Sequence, residues 1–437
     1  MSQNKTNQYK ITTLTGLAIV LANMIGTGAF TSLGFQVKSL HQTSTILTLW
    51  MLGGVIALSG AFSYAEVGSS IKKSGGEYAF LSQLYNPLIG YLSGWISLTV
   101  GFTAPIALSA MALISYFPYL SVNPRWAAIV VIGIITFIHT RNLKTSAIFQ
   151  NSSTVIKMLL ILFLIVIGAF LPGITSGTNA TEASYLTELI SPAFAIALIY
   201  VVYSYSGWNA AAYITNEFEN PSKSLPIVLI GGTIIVTILY TFLQYIFLKH
   251  LTLGEMEDQL NVAALAAQKM FGKTVGNLFG LALSISLISS VSAMVWVGAR
   301  ITASMANDHS FLSLFKMQSN NLPVRALWLQ FGISSLLILT GTFEQILVYC
   351  GILISLSSML VVIGIYKIRK QPEHKEDMGF KSPWYPFFQI IFVLLTLWMI
   401  IFTLYDKPWE SLAGMINLLI GMATFYWGHF KLKYFQK

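Results

Sequence analysis

Twelve apolar runs follow one another along this chain, at about 13–36, 44–68, 88–117, 126–140, 153–171, 193–214, 226–248, 276–305, 326–342, 344–366, 386–404 and 411–430. Each is near the roughly 20 residues that a helix needs to cross a bilayer. Lipid offers no partner to a bare N–H or C=O, so a spanning segment must satisfy its own backbone, as a helix or within a closed barrel. These runs lack the alternation of barrel strands. The expected fold is therefore an all-α membrane protein with twelve transmembrane helices. Composition supports this: 9% of residues are charged and 55% hydrophobic, whereas soluble domains carry about 25% charged residues. The stretch Met1–Lys10 is polar and no small-residue cleavage site follows, so the first run reads as a retained span.

The same residues exclude several functions. One cysteine, Cys350, and six scattered histidines give neither a disulfide framework nor ligand spacing for a metal, and no cofactor is expected. No clustered nucleophiles or paired carboxylates lie within the runs, so an enzyme has nothing to work with. His139, Glu344 and Cys350 have no partner at a telling spacing. The net charge of +9 falls in the short connections between runs, which points to a lipid bilayer as partner and not to nucleic acid. With the N-terminus inside, eighteen Lys/Arg, including Lys72, Lys73, Arg141, Lys144, Lys367, Arg369 and Lys370, face the cytoplasm and six face outward. That bias places both termini in the cytoplasm of a cell whose plasma membrane, a bacterial inner membrane, holds the protein. The remaining basic residue, Lys157, lies inside a span.

Two spans are interrupted. Asn23-Met24-Ile25-Gly26-Thr27-Gly28-Ala29-Phe30 puts two glycines mid-membrane, each weakening a helix by roughly 1 kcal/mol relative to alanine. Tyr203-Ser204-Tyr205-Ser206-Gly207-Trp208 does the same in the sixth span. If spans one to five and six to ten are repeats, both breaks fall in the first helix of a repeat, and an odd number of helices inverts the second copy. Such breaks suit a zwitterion. The N–H groups of Thr27, Gly28 and Ala29 sit at a positive helix end that can receive a carboxylate. Carbonyls of Tyr203, Ser204 and Ser206, with Met24 and Ile25, sit where an ammonium can be accepted. Close packing of small residues is the competing account of Gly26-Thr27-Gly28.

Longer motifs then carry a resemblance. Tyr205-Ser206-Gly207-Trp208-Asn209, followed by Thr215-Asn216-Glu217-Phe218-Glu219-Asn220-Pro221 and Leu225-Pro226, resembles the sixth-helix signature of the amino acid/polyamine/organocation superfamily, most closely its L-type amino acid transporter branch. Tyr64-Ala65-Glu66 with Ser74-Gly75-Gly76-Glu77-Tyr78 resembles the end of that family's second helix and its first cytoplasmic loop. Ala299-Arg300 through Met305-Ala306-Asn307-Asp308 resembles the end of its eighth helix, with His309 where glycine is frequent. The resemblance covers nearly the whole chain.

It implies a five-plus-five inverted repeat: residues 1–12 a cytoplasmic tail, 13–171 the first repeat, 172–366 the second, 367–385 a cytoplasmic linker, 386–430 helices eleven and twelve outside the transport core, and 431–437 a second tail. It places carboxylate binding on Gly26, Thr27 and Gly28, and ammonium binding on Met24, Tyr203, Ser204 and Ser206. Selectivity would come from Ser204, Ser206 and Trp208 beside Gly207, the indole limiting the pocket or capping the substrate unless it serves helix packing. Lys157 matches a fifth-helix lysine that resembles a stand-in for the sodium ion of related transporters. A charge there costs roughly 2.5–3.5 kcal/mol on insertion scales; it either carries protons, braces the first helix, or snorkels to the interface.

The function expected is secondary transport of amino acids, neutral L-amino acids first, by alternating access. Exchange with a counter-transported amino acid and proton symport both stay open; sodium coupling would fall to Ser289, Ser290 and Ser292. A sensor or channel-like protein of the same fold is the other reading. Glu66 and Glu217, near inner helix ends, are expected in gating or loop contacts, with Arg300 and Asp308 at the inner end of helix eight. Leu251 to Lys273 should form an external loop with a short helix, and Gln371 to Pro386 a polar linker.

Overall fold

The computed structural model describes residues 10–117, 121–141, 144–174, 185–317, 322–370 and 379–435. Among them no β-strand occurs; a single parallel bridge joins Ile11 and Phe218. In chain order the helices are α1 (Thr13–Met24), α2 (Gly28–Thr31), α3 (Leu33–Gln36), α4 (Thr43–Ser70), α5 (Gly76–Leu84), α6 (Pro87–Ile96), α7 (Thr103–Ser115), α8 (Pro124–His139), α9 (Lys144–Phe170), α10 (Tyr185–Leu189), α11 (Pro192–Ser204), α12 (Pro221–His250), α13 (Leu253–Met256), α14 (Val262–Phe271), α15 (Lys273–Asp308), α16 (Val324–Thr340), α17 (Phe343–Lys370), α18 (Phe387–Asp406) and α19 (Pro408–Phe435). A π turn, Ser97–Gly101, joins α6 to α7, and a 3₁₀ segment, Ala210–Glu217, follows α11.

Nine helical stretches among the described residues are long and apolar enough to cross a membrane. The expected fourth, sixth and ninth spans are the shorter apolar helices α8, α11 and α16. Proline at the first turn and a side-chain cap start several of them: Asn86 accepts from the Ile89 N–H ahead of Pro87, Asn123 from Arg125 ahead of Pro124, and Ser191 from Phe194 ahead of Pro192. A proline there forfeits no hydrogen bond, because the first four N–H groups have no helical partner. The sixth run, expected over 193–214, is α-helical only to Ser204. The connection over 251–273, expected as a loop with one short helix, contains two, α13 and α14, and α13 opens with a capping box between Thr252 and Glu255.

Glycine sets the closest approaches in the core. A Cβ on Gly54 would fall 2.3 Å from Thr237 of α12, and one on Gly53 would fall 2.4 Å from Val201 of α11. Without an apolar driving force between helices in lipid, such close contact is what holds them together. α18 adds Phe392, Met399 and Ile400 to this core, while α18 and α19 expose Leu394, Ile401 and Leu419 on their other faces. On the basic end, Glu66 is wholly buried. It accepts two bonds from Arg369 at 2.7 Å each and one from the Ser382 N–H at 2.7 Å, a bidentate pair that ties α4, α17 and the approach to α18.

Candidate substrate site

The first break begins where α1 stops. The Ile25 N–H still bonds to Leu21 O at 2.9 Å and the Gly26 N–H turns back to Met24 O at 2.8 Å. The N–H groups of Thr27, Gly28 and Ala29 then make no hydrogen bond among the described residues. Freed carbonyls must be satisfied in a low-dielectric interior, and three neighbouring side chains do so. Tyr240 of α12 donates to Met24 O at 2.5 Å, Gln244 of α12 donates to Ala29 O at 2.9 Å, and Lys157 of α9 donates to Ile25 O at 3.0 Å. Lys157, 1% exposed, also donates to Ser290 Oγ of α15 at 2.8 Å.

At the second break, the Tyr205 N–H reaches Val201 O at 3.0 Å and the Ser206 N–H reaches Tyr203 O at 2.9 Å, after which the helix ends. Gly207 adopts φ +95°, a conformation that side chains other than glycine's resist. The carbonyls of Ser204 and Ser206 accept no hydrogen bond among the described residues. The two breaks touch through glycine. A Cβ on Gly28 would lie 2.5 Å from Ser204 Cα, and one on Gly207 would lie 2.8 Å from the Asn23 backbone. Gly26 has only its own chain's Met24 O within 4 Å, at 3.9 Å. Its face is open.

What it opens onto is a narrow cavity with about 30 Å³ of free space, room for about one water molecule between the two breaks. Gly26, Thr27 and Gly28 line one side, and Tyr203, Ser204 and Ser206 another, with Met24 at the corner. Pro105 and Ser109 of α7 and Ser290, Ala293 and Met294 of α15 complete it. Of these five, only Ser290 was singled out from sequence, and as a cation ligand rather than as cavity lining. Pro105 and the π turn before it are the local signal, since π turns recur at functional sites; the residues of α15 carry no signal beyond small size. No charged side chain lines the cavity among the described residues.

Three expected residues are placed differently. The Ile25 carbonyl is occupied by Lys157 and Ile25 does not line the cavity. The Met24 carbonyl already accepts two donors, which uses both of its lone pairs. Trp208 faces away, toward a separate small pocket between α4, α11, α17 and α18. Its ring meets Tyr64 edge-on at 4.7 Å and Phe392 at 6.4 Å. The turn at Gly207 swings the indole off the substrate face. Gly207 itself serves the contact with Asn23.

The serines of α15 also diverge. Ser290 bonds Lys157, Ser289 bonds Ser286 O at 3.2 Å, and Ser292 bonds His139 at 2.8 Å. Three hydroxyls with three separate partners do not converge on one cation. His139, given no partner from sequence, has one in Ser292.

A family model described as "Amino acid permease" matches residues 11–425. The serine/threonine exchanger SteT of Bacillus subtilis (strain 168) is 26% identical over 440 residues, covering 96% of each chain. The human cystine/glutamate transporter is 26% identical, covering 95% of this chain and 84% of its own. The human b(0,+)-type amino acid transporter 1 is 24% identical, covering 98% and 90%.

Proposed function

Since this chain belongs to the amino acid permease family, we propose that it transports amino acids across the membrane by alternating access, with neutral L-amino acids as substrates. The observation that carries this is the meeting of two helix breaks at one cavity. One offers the N–H groups of Thr27 and Gly28, with that of Ala29 behind them; the other offers the carbonyls of Ser204 and Ser206. A carboxylate bound at the first and an ammonium at the second are both held by peptide dipoles, which need no reorganisation. The carbonyls of Met24, Ile25 and Tyr203 contribute indirectly, by fixing the breaks. A lining of hydroxyls and small groups without a charged side chain favours neutral substrates.

The architecture we propose is five-plus-five, 13–171 and 172–366 forming inverted repeats, each opening with a broken helix, and α18 and α19 outside them. The basic end faces the cytoplasm of the plasma membrane, and no enzymatic step is involved. Exchange is the favoured mode. The relative named as a serine/threonine exchanger supports it, and Lys157 is engaged in bracing Ile25 and Ser290 rather than aimed into the cavity. Its ammonium stands between the first, fifth and eighth spans, where a sodium ion would otherwise be needed to hold them.

Proteoliposomes test this directly. Uptake of radiolabelled serine, threonine, alanine and leucine should saturate and rise several-fold when unlabelled amino acid is inside, and a sodium gradient should add nothing. Binding without flux would make the protein a sensor; flux driven by a pH gradient without internal amino acid would make it a proton symporter.

A further inference from the structure

Five donors converge on one carboxylate close to the second break. Glu77 opens α5, and the glycines before it, Gly75 and Gly76, adopt φ +122° and +57°, a turn that strains any other residue. A Cβ on Gly76 would also fall 2.5 Å from the Tyr213 ring. This turn delivers a carboxylate that is 4% exposed into a junction of three elements. Its Oε1 accepts from Tyr64 of α4 at 2.6 Å, Ser358 of α17 at 2.9 Å and Asn209 at 3.0 Å. Its Oε2 accepts from Ser357 of α17 at 3.3 Å and Tyr213 at 3.4 Å. Among the described residues no lysine or arginine pairs with it. Burial pushes the carboxyl above the usual carboxylate range, and the hydroxyls pull it back. A carboxylate buried on neutral donors alone is tolerated only while all of them stay in place.

The donors lie on two sides of a seam. Asn209 and Tyr213 belong to the sixth span beyond its break, Asn209 only three residues from the cavity-lining Ser206. Tyr64, Ser357 and Ser358 belong to α4 and α17, and Ser357 is further held by Ser93 of α6 at 2.7 Å. The Gly75 N–H bonds Tyr213 O at 3.1 Å and the Asn216 N–H bonds Ser74 Oγ at 2.9 Å, so the loop before α5 is fastened to the same moving segment. Parting the 3₁₀ segment from α4 and α17 would strip Glu77 of donors on one side or the other.

We propose that Glu77 is the latch of the cytoplasmic gate, its carboxylate holding the inner part of the sixth span against α4 and α17 until the transporter opens inward. This rests on the transporter reading above. Glu77 is a positioning residue: it does not touch the substrate.

The test reads access, which needs no substrate. In a Cys350→Ala background, Ala293→Cys places a thiol in the cavity wall, and a membrane-impermeant maleimide is added to either face of oriented vesicles holding the full chain. Glu77→Gln replaces an acceptor oxygen by a donor; labelling from the cytoplasmic face should accelerate about tenfold or more, and labelling from the outer face should slow. Glu77→Asp, which keeps the charge and loses reach, should fall between. Unchanged labelling from both faces in a monodisperse Glu77→Gln protein of wild-type melting temperature overturns the latch. If that variant does not fold, Ser358→Ala and Asn209→Ala, each removing one donor, should each accelerate cytoplasmic labelling and the pair should do so more; no change in either overturns it equally. Loss of amino acid flux in the wild type would strike the transporter reading instead, with the labelling result standing apart.

Discussion

Alanine at Gly26 and alanine at Gly28 are the same chemical change two positions apart, with opposite expectations. At Gly28 the new methyl group meets the Ser204 backbone at 2.5 Å, a contact that only a backbone shift can relieve, so the two breaks are forced apart and stability falls by about 1–3 kcal/mol. At Gly26 the methyl meets nothing closer than 3.9 Å. Gly26→Ala should therefore melt like the wild type and still lose substrate affinity, because the methyl projects into the cavity; thermal melting paired with uptake KM separates the two variants. Lys157 is the third informative residue. Lys157→Met keeps most of the volume and leaves Ile25 O and Ser290 Oγ without their donor, which costs about 1–3 kcal/mol. Flux should drop at least about tenfold through loss of the fixed break, in exchange and in net uptake alike. A variant that loses only a pH-dependent component of uptake would instead make the lysine a proton carrier.

At the scale of elements, the broken first span depends on the unbroken seventh. Tyr240 and Gln244 lie one turn apart on α12 and hold carbonyls on either side of the break, Met24 and Ala29. Tyr240→Phe removes one of two donors to Met24 O, so we expect a modest change: about 1 kcal/mol, read as a roughly fivefold rise in KM with little loss of expression. Neither residue was legible in the sequence, since an aromatic and an amide in an apolar run read as packing. The breaks themselves were legible, because glycines and hydroxyls in mid-membrane contradict a continuous helix. Lys157 was legible because a charge in lipid demands a reason. Trp208 read as either a pocket cap or a packing residue, and its ring lies against Tyr64 and Phe392: the positive φ of Gly207 decides which way the indole points, and a sequence names the glycine without giving that angle. Ser109, Ala293 and Met294 were invisible for the opposite cause, being ordinary residues of membrane helices whose role comes only from what they face.

For the whole molecule, the end of α17 remote from Arg369 carries a second junction around a carboxylate, built from charges. Glu344 of α17 accepts from Tyr200 of α11 at 2.6 Å and from Lys407 at 3.1 Å, and Lys38 lies 3.6 Å away. Lys38 also pairs with Asp258, in the connection between α13 and α14, at 2.5 Å, and the Asp258 N–H bonds Gly34 O at 3.0 Å. These ion pairs are partly exposed, so each contributes roughly 0–1 kcal/mol and weakens with salt. Lys407→Ala should raise outer-face labelling of the cavity thiol by severalfold at low ionic strength and hardly at all in about 1 M salt, where the Debye length is ~3 Å; Glu344→Gln, which also weakens the Tyr200 bond, should keep an effect in both. The two outlying helices complete the picture. α18 is joined to α4 by the Gln389 bond to Ser63 at 3.1 Å, whereas α19 is joined to α6 by Tyr91 with Thr424 and Trp95 with Asn417. Only Lys407 separates them. Two arms fixed to different parts of the bundle and meeting at a one-residue joint form a pair of calipers, so any sliding of the second span past the third must change their spread, and probes at Leu394 and Leu419 would follow the working cycle from the lipid side without touching the site.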